Sequence, residues 1–160
     1  MANALTFQFL DTPIGRLRLV ANDTHLLRVE FDGQHGCDGI EGKTPVLTAA
    51  ASQLAEYFAG QRQHFRLPLH MNGTLFQEQV WTALQAIPYG ACRSYQDIAR
   101  AINRPRAVRA VGAANGRNPL PIIVPCHRVV GSNGKLTGFA GGLASKALLI
   151  KLEANGTSAA

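Results

Sequence analysis

The chain has 160 residues, 46% of them hydrophobic and 16% charged, with a formal net charge of +6. That balance suits a globular protein with a real core, in one large domain or two small ones; no signal peptide or membrane-length apolar run is visible, so a cytoplasmic location is expected. Three cysteines, Cys37, Cys92 and Cys126, are odd in number and widely spaced, which argues against a disulfide framework and offers no metal-ligand pattern.

Leu5 to Leu10 and Arg16 to Val20 alternate apolar and polar residues around a turn at Thr12-Pro13-Ile14-Gly15, and Leu26 to Phe31 supplies a third strand. An antiparallel meander follows from this pattern. Asp32 to Lys43 reads as a loop, in which His35 and Cys37 are plain exposed residues. Leu47, Ala51, Leu54, Ala55 and Phe58 recur at helical spacing until Gly60, and Phe65 to Leu69 reads as one more short strand. Residues 1–71 thus form a scaffold of sheet plus helix with no chemistry of its own.

Met71-Asn72-Gly73 reads as a linker. Thr74 then caps a helix whose face carries Phe76, Val80, Trp81, Leu84 and Ile87, with Trp81 as a core residue. Ser94 and Asp97 form a capping box for a second helix. After Asn103-Arg104, Pro105 suits the first position of a third helix, running to about Asn115 and stopped by Gly116. The last two helices make a helix-turn-helix. Residues 89–135 carry eight basic side chains against the single acid Asp97; this is either a polyanion-binding face or a merely solvated one.

Asn118 to Val129 is the most unusual stretch. Pro119, Pro121 and Pro125 predict a stiff, mostly extended arm around the apolar run Ile122-Ile123-Val124, with the Cys126 thiol at its tip. By itself that thiol is a packing residue or a nucleophile. Gly131 to Gly134 is a turn, Gly138 to Leu143 a glycine-rich loop, and Ala144 to Leu152 a final helix with Glu153 at its end. A glutamate at a helix C-terminus opposes the dipole, which suggests a task such as orienting His127. The domains are therefore 1–71, 72–156 and a disordered tail at 157–160. The fold class is α+β.

Pro125-Cys126-His127-Arg128-Val129, with Asn118-Pro119 before it and Gly141-Gly142-Leu143 after it, resembles the signature of the O6-alkylguanine-DNA alkyltransferases. Ser94-Tyr95 and Arg109-Ala110-Val111-Gly112 also fit, and the likeness is strong over about residues 74–153. The resemblance implies a ribonuclease H-like N-terminal domain and a winged-helix-like C-terminal one. It also implies irreversible, single-turnover transfer of an alkyl group from O6-alkylguanine, and O4-alkylthymine, in flipped-out duplex DNA. It implies further that no metal or cofactor takes part, and a monomer is expected.

Carried over by position, Cys126 would be the acceptor, His127 would take its proton through a water, and Glu153 would hold His127. Asn118 would tie the reactive turn, and Tyr95 would donate to the base and crowd its phosphate. Arg109 would fill the gap left by the extruded nucleotide. Gln96, Arg104, Ser132, Ala107 and Gly112 would lie along the DNA, and Pro121, Val129, Phe139 and Ala140 would line the pocket. The N–H of Ala140 would face the oxygen that loses the alkyl group, and the carbonyls of Cys126 and Val129 would read the exocyclic amine. Phe139 replaces a usual tyrosine, and Arg104 stands where some members have an asparagine. Related non-catalytic proteins carry tryptophan in place of the cysteine. The residues alone also fit a DNA-binding module without chemistry or a Cys-His-Glu hydrolase.

Overall fold

Strands β1 (Thr6–Thr12) and β2 (Gly15–Ala21) form a hairpin in full register, from Thr6 opposite Ala21 to Thr12 opposite Gly15. Its turn is closed by Thr12 Oγ1 donating to Gly15 O at 2.8 Å, and Gly15 takes a φ of +105° that a side chain would resist. β3 (Leu26–Glu30) pairs antiparallel with β2, completing the meander. This is a computed structural model, and it describes residues 4–158.

Two expectations fail in this half. The stretch read as a loop contains β4 (Ile40–Glu41), which pairs parallel to β1 and gives the sheet order β3-β2-β1-β4. Residues 65–69 form no strand; Leu69 makes one isolated bridge to Leu26. The alternation in β2 also misleads. Arg18 falls on a polar beat yet is 1% exposed, because Glu30 and Asp38 neutralise it and its guanidinium stacks on Phe7 at 4.2 Å. Helix α1 (Pro45–Phe58) has Pro45 in its first turn and Thr44 capping Leu47 N–H at 3.2 Å. It buries Leu47, Ala50, Leu54 and Tyr57, so Tyr57 rather than Phe58 faces inward.

The chain divides between Met71 and Asn72. In the second unit, α2 (Leu75–Gln85) starts from a capping box of Thr74 and Gln77 and buries Val80, Trp81 and Leu84. Gly73 is the only residue type that fits beside Trp81, since a Cβ there would lie 2.5 Å from the indole. β5 (Arg93–Ser94) leads into α3 (Tyr95–Ala101), capped by Ser94 and Asp97 as expected. α4 (Val108–Gly116) begins three residues after the expected start. Pro105 lies in a turn instead, because Ala107 N–H donates to Arg104 O at 2.9 Å and Asn103 reverses the chain at φ +60°. A single 3₁₀ turn over Cys126–Arg128 precedes β6 (Val129–Val130), which pairs parallel to β5.

α5 (Leu143–Ser158) runs past the expected end at Leu152 and through Thr157 and Ser158, which were read as tail; residues 159–160 lie outside the described ones. Gly156 lets the helix continue past Tyr89, whose hydroxyl lies 2.5 Å from where a Cβ would stand. Among the described residues, no helix is long and apolar enough to cross a membrane.

Candidate active site

The arm that carries Cys126 is folded back rather than extended. Val124 N–H donates to Leu120 O at 2.8 Å, and Pro121 bridges to Val124. Ile122, at the apex, is forced to a φ of +74°, where a β-branched residue is strained. Asn118 closes the turn: its Oδ1 accepts from Leu120 N–H at 2.9 Å and its Nδ2 donates to Val124 O at 2.7 Å. Prolines limit φ, but a side chain six residues upstream decides where this backbone goes.

Cys126 is 4% exposed. Burial raises its thiol, hydrogen bonds from Asn118 and from the N–H groups of Cys126 and Ile122, and the charge of Lys146, pull the other way, and the balance stands at about 11. The next residue, His127, is fully buried, and its Nε2 lies 2.6 Å from Glu153 Oε2. The same carboxylate accepts from Arg128 Nε at 2.8 Å, Arg128 Nη2 at 3.1 Å and Gly90 N–H at 3.2 Å. A carboxylate gripped by that guanidinium serves as an acceptor, which favours the tautomer with the imidazole proton on Nε2 and leaves Nδ1 as the basic atom. Nδ1 has no hydrogen-bond partner among the described residues, so it does not touch the thiol directly. Burial holds the His127 pKa below its ordinary value, against the pull of Glu153.

Glu153 is in contact with His127, but not from the helix end where it was expected. It lies inside α5, not at its end, so no dipole conflict singles it out. Two further residues were missed as site residues. Arg128 also donates from Nη1 to Ile87 O at 2.6 Å, fixing the carboxylate from behind. Lys146, two helical turns before Glu153 on the same face of α5, is completely buried, and no carboxylate pairs with it among the described residues. Its Nζ donates to Thr137 O at 2.7 Å and lies 6.0 Å from the Tyr95 ring. Burial draws its pKa down, and the nearby thiol of Cys126 draws it up. The i, i+7 spacing of Lys146 and Glu153 was the available signal.

The remaining expected residues fall in two places. Tyr95 OH donates to Thr137 O and receives Thr137 Oγ1, both at 3.2 Å, which ties α3 to the loop holding Phe139 and Ala140. Gln96 Nε2 donates to Pro105 O at 3.0 Å across the helix-turn-helix. Arg104, Arg109 and Ser132 are exposed, while Ala107 caps α4 and Gly112 packs under Tyr95, with room for a Cβ at 3.9 Å. Pro121 and Val129 are buried beside Cys126 in the sequence. No group of three or more His, Cys, Asp or Glu among the described residues could hold a metal ion.

Two family models cover nearly all of the chain. Residues 5–71 match the ribonuclease-like domain of 6-O-methylguanine DNA methyltransferase, and residues 75–155 match its DNA binding domain. The chain belongs to the 6-O-methylguanine DNA methyltransferase family. A methylated-DNA–protein-cysteine methyltransferase of Bacillus subtilis, described as constitutive, is 48% identical over 89% of this chain and 92% of its own. One from Methanosarcina barkeri is 48% identical over 93% of this chain and 97% of its own. The crystal structure of Mycobacterium tuberculosis OGT in complex with DNA superposes with a TM-score of 0.89 at 44% identity, covering 94% of each chain.

Proposed function

We propose that this protein repairs DNA by direct reversal, moving an alkyl group from guanine O6, or thymine O4, of an extruded nucleotide onto Cys126. The observation that carries this reading is the 2.6 Å contact between Glu153 and His127, the residue next in sequence to the buried thiol of Cys126. His127 Nδ1 takes the thiol proton through one water. The thiolate attacks the alkyl carbon, the S–C bond forms, and the C–O6 bond breaks. The electron pair stays on the base, which takes back a proton. A thioether has no leaving group, so each protein acts once.

The other residues take the roles their positions support. α4 enters the DNA with Arg109 replacing the extruded nucleotide, at a site where extrusion costs a few kcal/mol. Gln96, Arg104, Ser132, Ala107 and Gly112 follow the backbone. Tyr95 exchanges its bond to Thr137 for one to the base. Pro121, Val129, Phe139 and Ala140 wall the pocket, with Phe139 supplying surface and no proton. The protein works in the cytoplasm as a monomer on duplex DNA, without a cofactor.

The test is stoichiometry. Incubation with excess duplex containing O6-methylguanine should add one methyl mass per protein and then stop. Turnover past one equivalent would favour a hydrolytic site, and an unchanged mass would overturn the transfer.

A further inference from the structure

Three side chains hold the end of α4 and the turn that follows it in place. Trp81 Nε1 donates to Ala114 O at 2.9 Å and Asn118 Nδ2 to Val124 O at 2.7 Å, while Asn115 Nδ2 donates to Cys126 O at 3.3 Å. The third contact is different in kind. It is longer than the usual 2.9–3.0 Å or so for such bonds. Its acceptor, the carbonyl of Cys126, already takes the N–H of Val129. The other end of the same amide, Asn115 Oδ1, is buried without a partner among the described residues.

Asn115 is 4% exposed. A buried carboxamide oxygen with no donor weakens the fold, because its lost hydration is not replaced. Alanine precedes it at Ala113 and Ala114, so a small apolar residue suits this helix and would avoid the loss. The amide is kept beside the acceptor residue at a cost in stability. Its present orientation is dictated by the Cys126 carbonyl, since the opposite one would set two oxygens against each other.

Alkylation at O6 removes the N1 proton of guanine. The 2-amino group is then the ring's remaining N–H donor, with two hydrogens to place. O4-alkylthymine has no ring N–H donor at all.

Resting on the reading that Cys126 accepts the alkyl group, we propose that Asn115 reads the 2-amino group of the extruded guanine. In the free protein Asn115 Nδ2 sits where that amine will donate. When the base enters, one amine hydrogen goes to Cys126 O. A half-turn of the amide then brings Oδ1 to the second hydrogen. Asn115 thereby favours guanine lesions over thymine lesions, and it is a specificity residue that contacts the base.

The experiment deletes one group from each side. Single-turnover transfer is measured from duplexes containing O6-methylguanine or O6-methylhypoxanthine, which lacks only the amine, to the unaltered protein, Asn115→Ala and Asn115→Asp. The unaltered protein should prefer the amine by roughly tenfold, the worth of one good hydrogen bond. Asn115→Ala should shrink the preference to about twofold by slowing O6-methylguanine alone, while Asn115→Asp, which keeps an acceptor, should retain it. Full preference in Asn115→Ala would assign the amine to the main-chain carbonyls of Cys126 and Val129 and overturn the proposal. Equal slowing of both substrates would reduce Asn115 to a packing role and overturn it as well. If Asn115→Ala does not fold, Asn115→Ser carries the same expectations. Failure of the unaltered protein to take methyl from either duplex is a different result, and it removes the acceptor reading itself.

Discussion

Glu153 fixes His127 in one tautomer: its Oε2 accepts from His127 Nε2 at 2.6 Å while the Arg128 guanidinium grips both of its oxygens at 2.8 and 3.1 Å. The arrangement turns a buried imidazole into a base with a known free nitrogen. Glu153→Gln should therefore act twice. It leaves the Arg128 charge buried and unpaired, which should lower stability by about 3–5 kcal/mol in urea unfolding. It also lets the imidazole choose the wrong tautomer, so transfer at saturating DNA should slow by about tenfold or more. Normal transfer by a folded Glu153→Gln protein would contradict the role.

The thiol should answer to pH in a particular way. With Cys126 pushed up to about 11 by burial, labelling of Cys126 by iodoacetamide, read on its own peptide, should keep rising past pH 9 instead of levelling. The folded protein holds this proton after an unfolded thiol, near 8.5, has lost it. Stability should thus be lost as pH climbs between about 8.5 and the folded value of about 11. His127 acts at the other end. Burial keeps it neutral and its pKa low, while an unfolded histidine binds a proton near 6.5, so stability should also fall as pH drops below about 6.5. His127→Gln should flatten that acid limb in a melting-temperature series; an unaltered limb would mean His127 is not held neutral.

Lys146 offers a separate handle on the same thiol. It is fully buried, with no carboxylate partner among the described residues, and lies close enough to Cys126 to favour its ionised form. Lys146→Met removes that charge but keeps the stem. Labelling and methyl transfer at fixed pH should both slow by about tenfold, with stability unchanged or raised, because desolvating a cation is costly. Unchanged labelling would show that the ammonium serves only the Thr137 carbonyl.

Arg109 stands exposed in the first turn of α4. Arg109→Ala should weaken DNA binding by less than about threefold, since one charge among many is lost. Transfer should fall by about tenfold or more, since the extruded base is no longer replaced. Equal losses in both would leave Arg109 as one more phosphate contact.

The parts of the fold that local chemistry dictates were legible beforehand: the β1–β2 turn at Gly15, the N-cap at Thr74, the capping box at Ser94, and the buried face of α2 with Trp81. What escaped depends on distant partners. Arg18 is buried because Glu30 and Asp38 arrive from later in the chain. The Cys126 arm bends because Asn118 closes it, against the extended preference of its prolines. Among the groups gathered around the thiol, Cys126, His127 and Asn118 stand in the motif itself, whereas Glu153 was singled out by a helix end that the structure moves. Lys146, Arg128 and Asn115 were not, since their meaning lies in what they touch: a loop carbonyl, a carboxylate, and the acceptor's own backbone.

The central claim is that the Cys126 sulfur itself takes the alkyl group. Peptide mapping of the protein after reaction with O6-methylguanine duplex tests this directly, because Cys37 and Cys92 are exposed and serve as internal controls. Stoichiometric methylation is expected on the Cys126 peptide, with none on the other two and no transfer by Cys126→Ser. Methyl on Cys37 or Cys92, or continued transfer by Cys126→Ser, would contradict it.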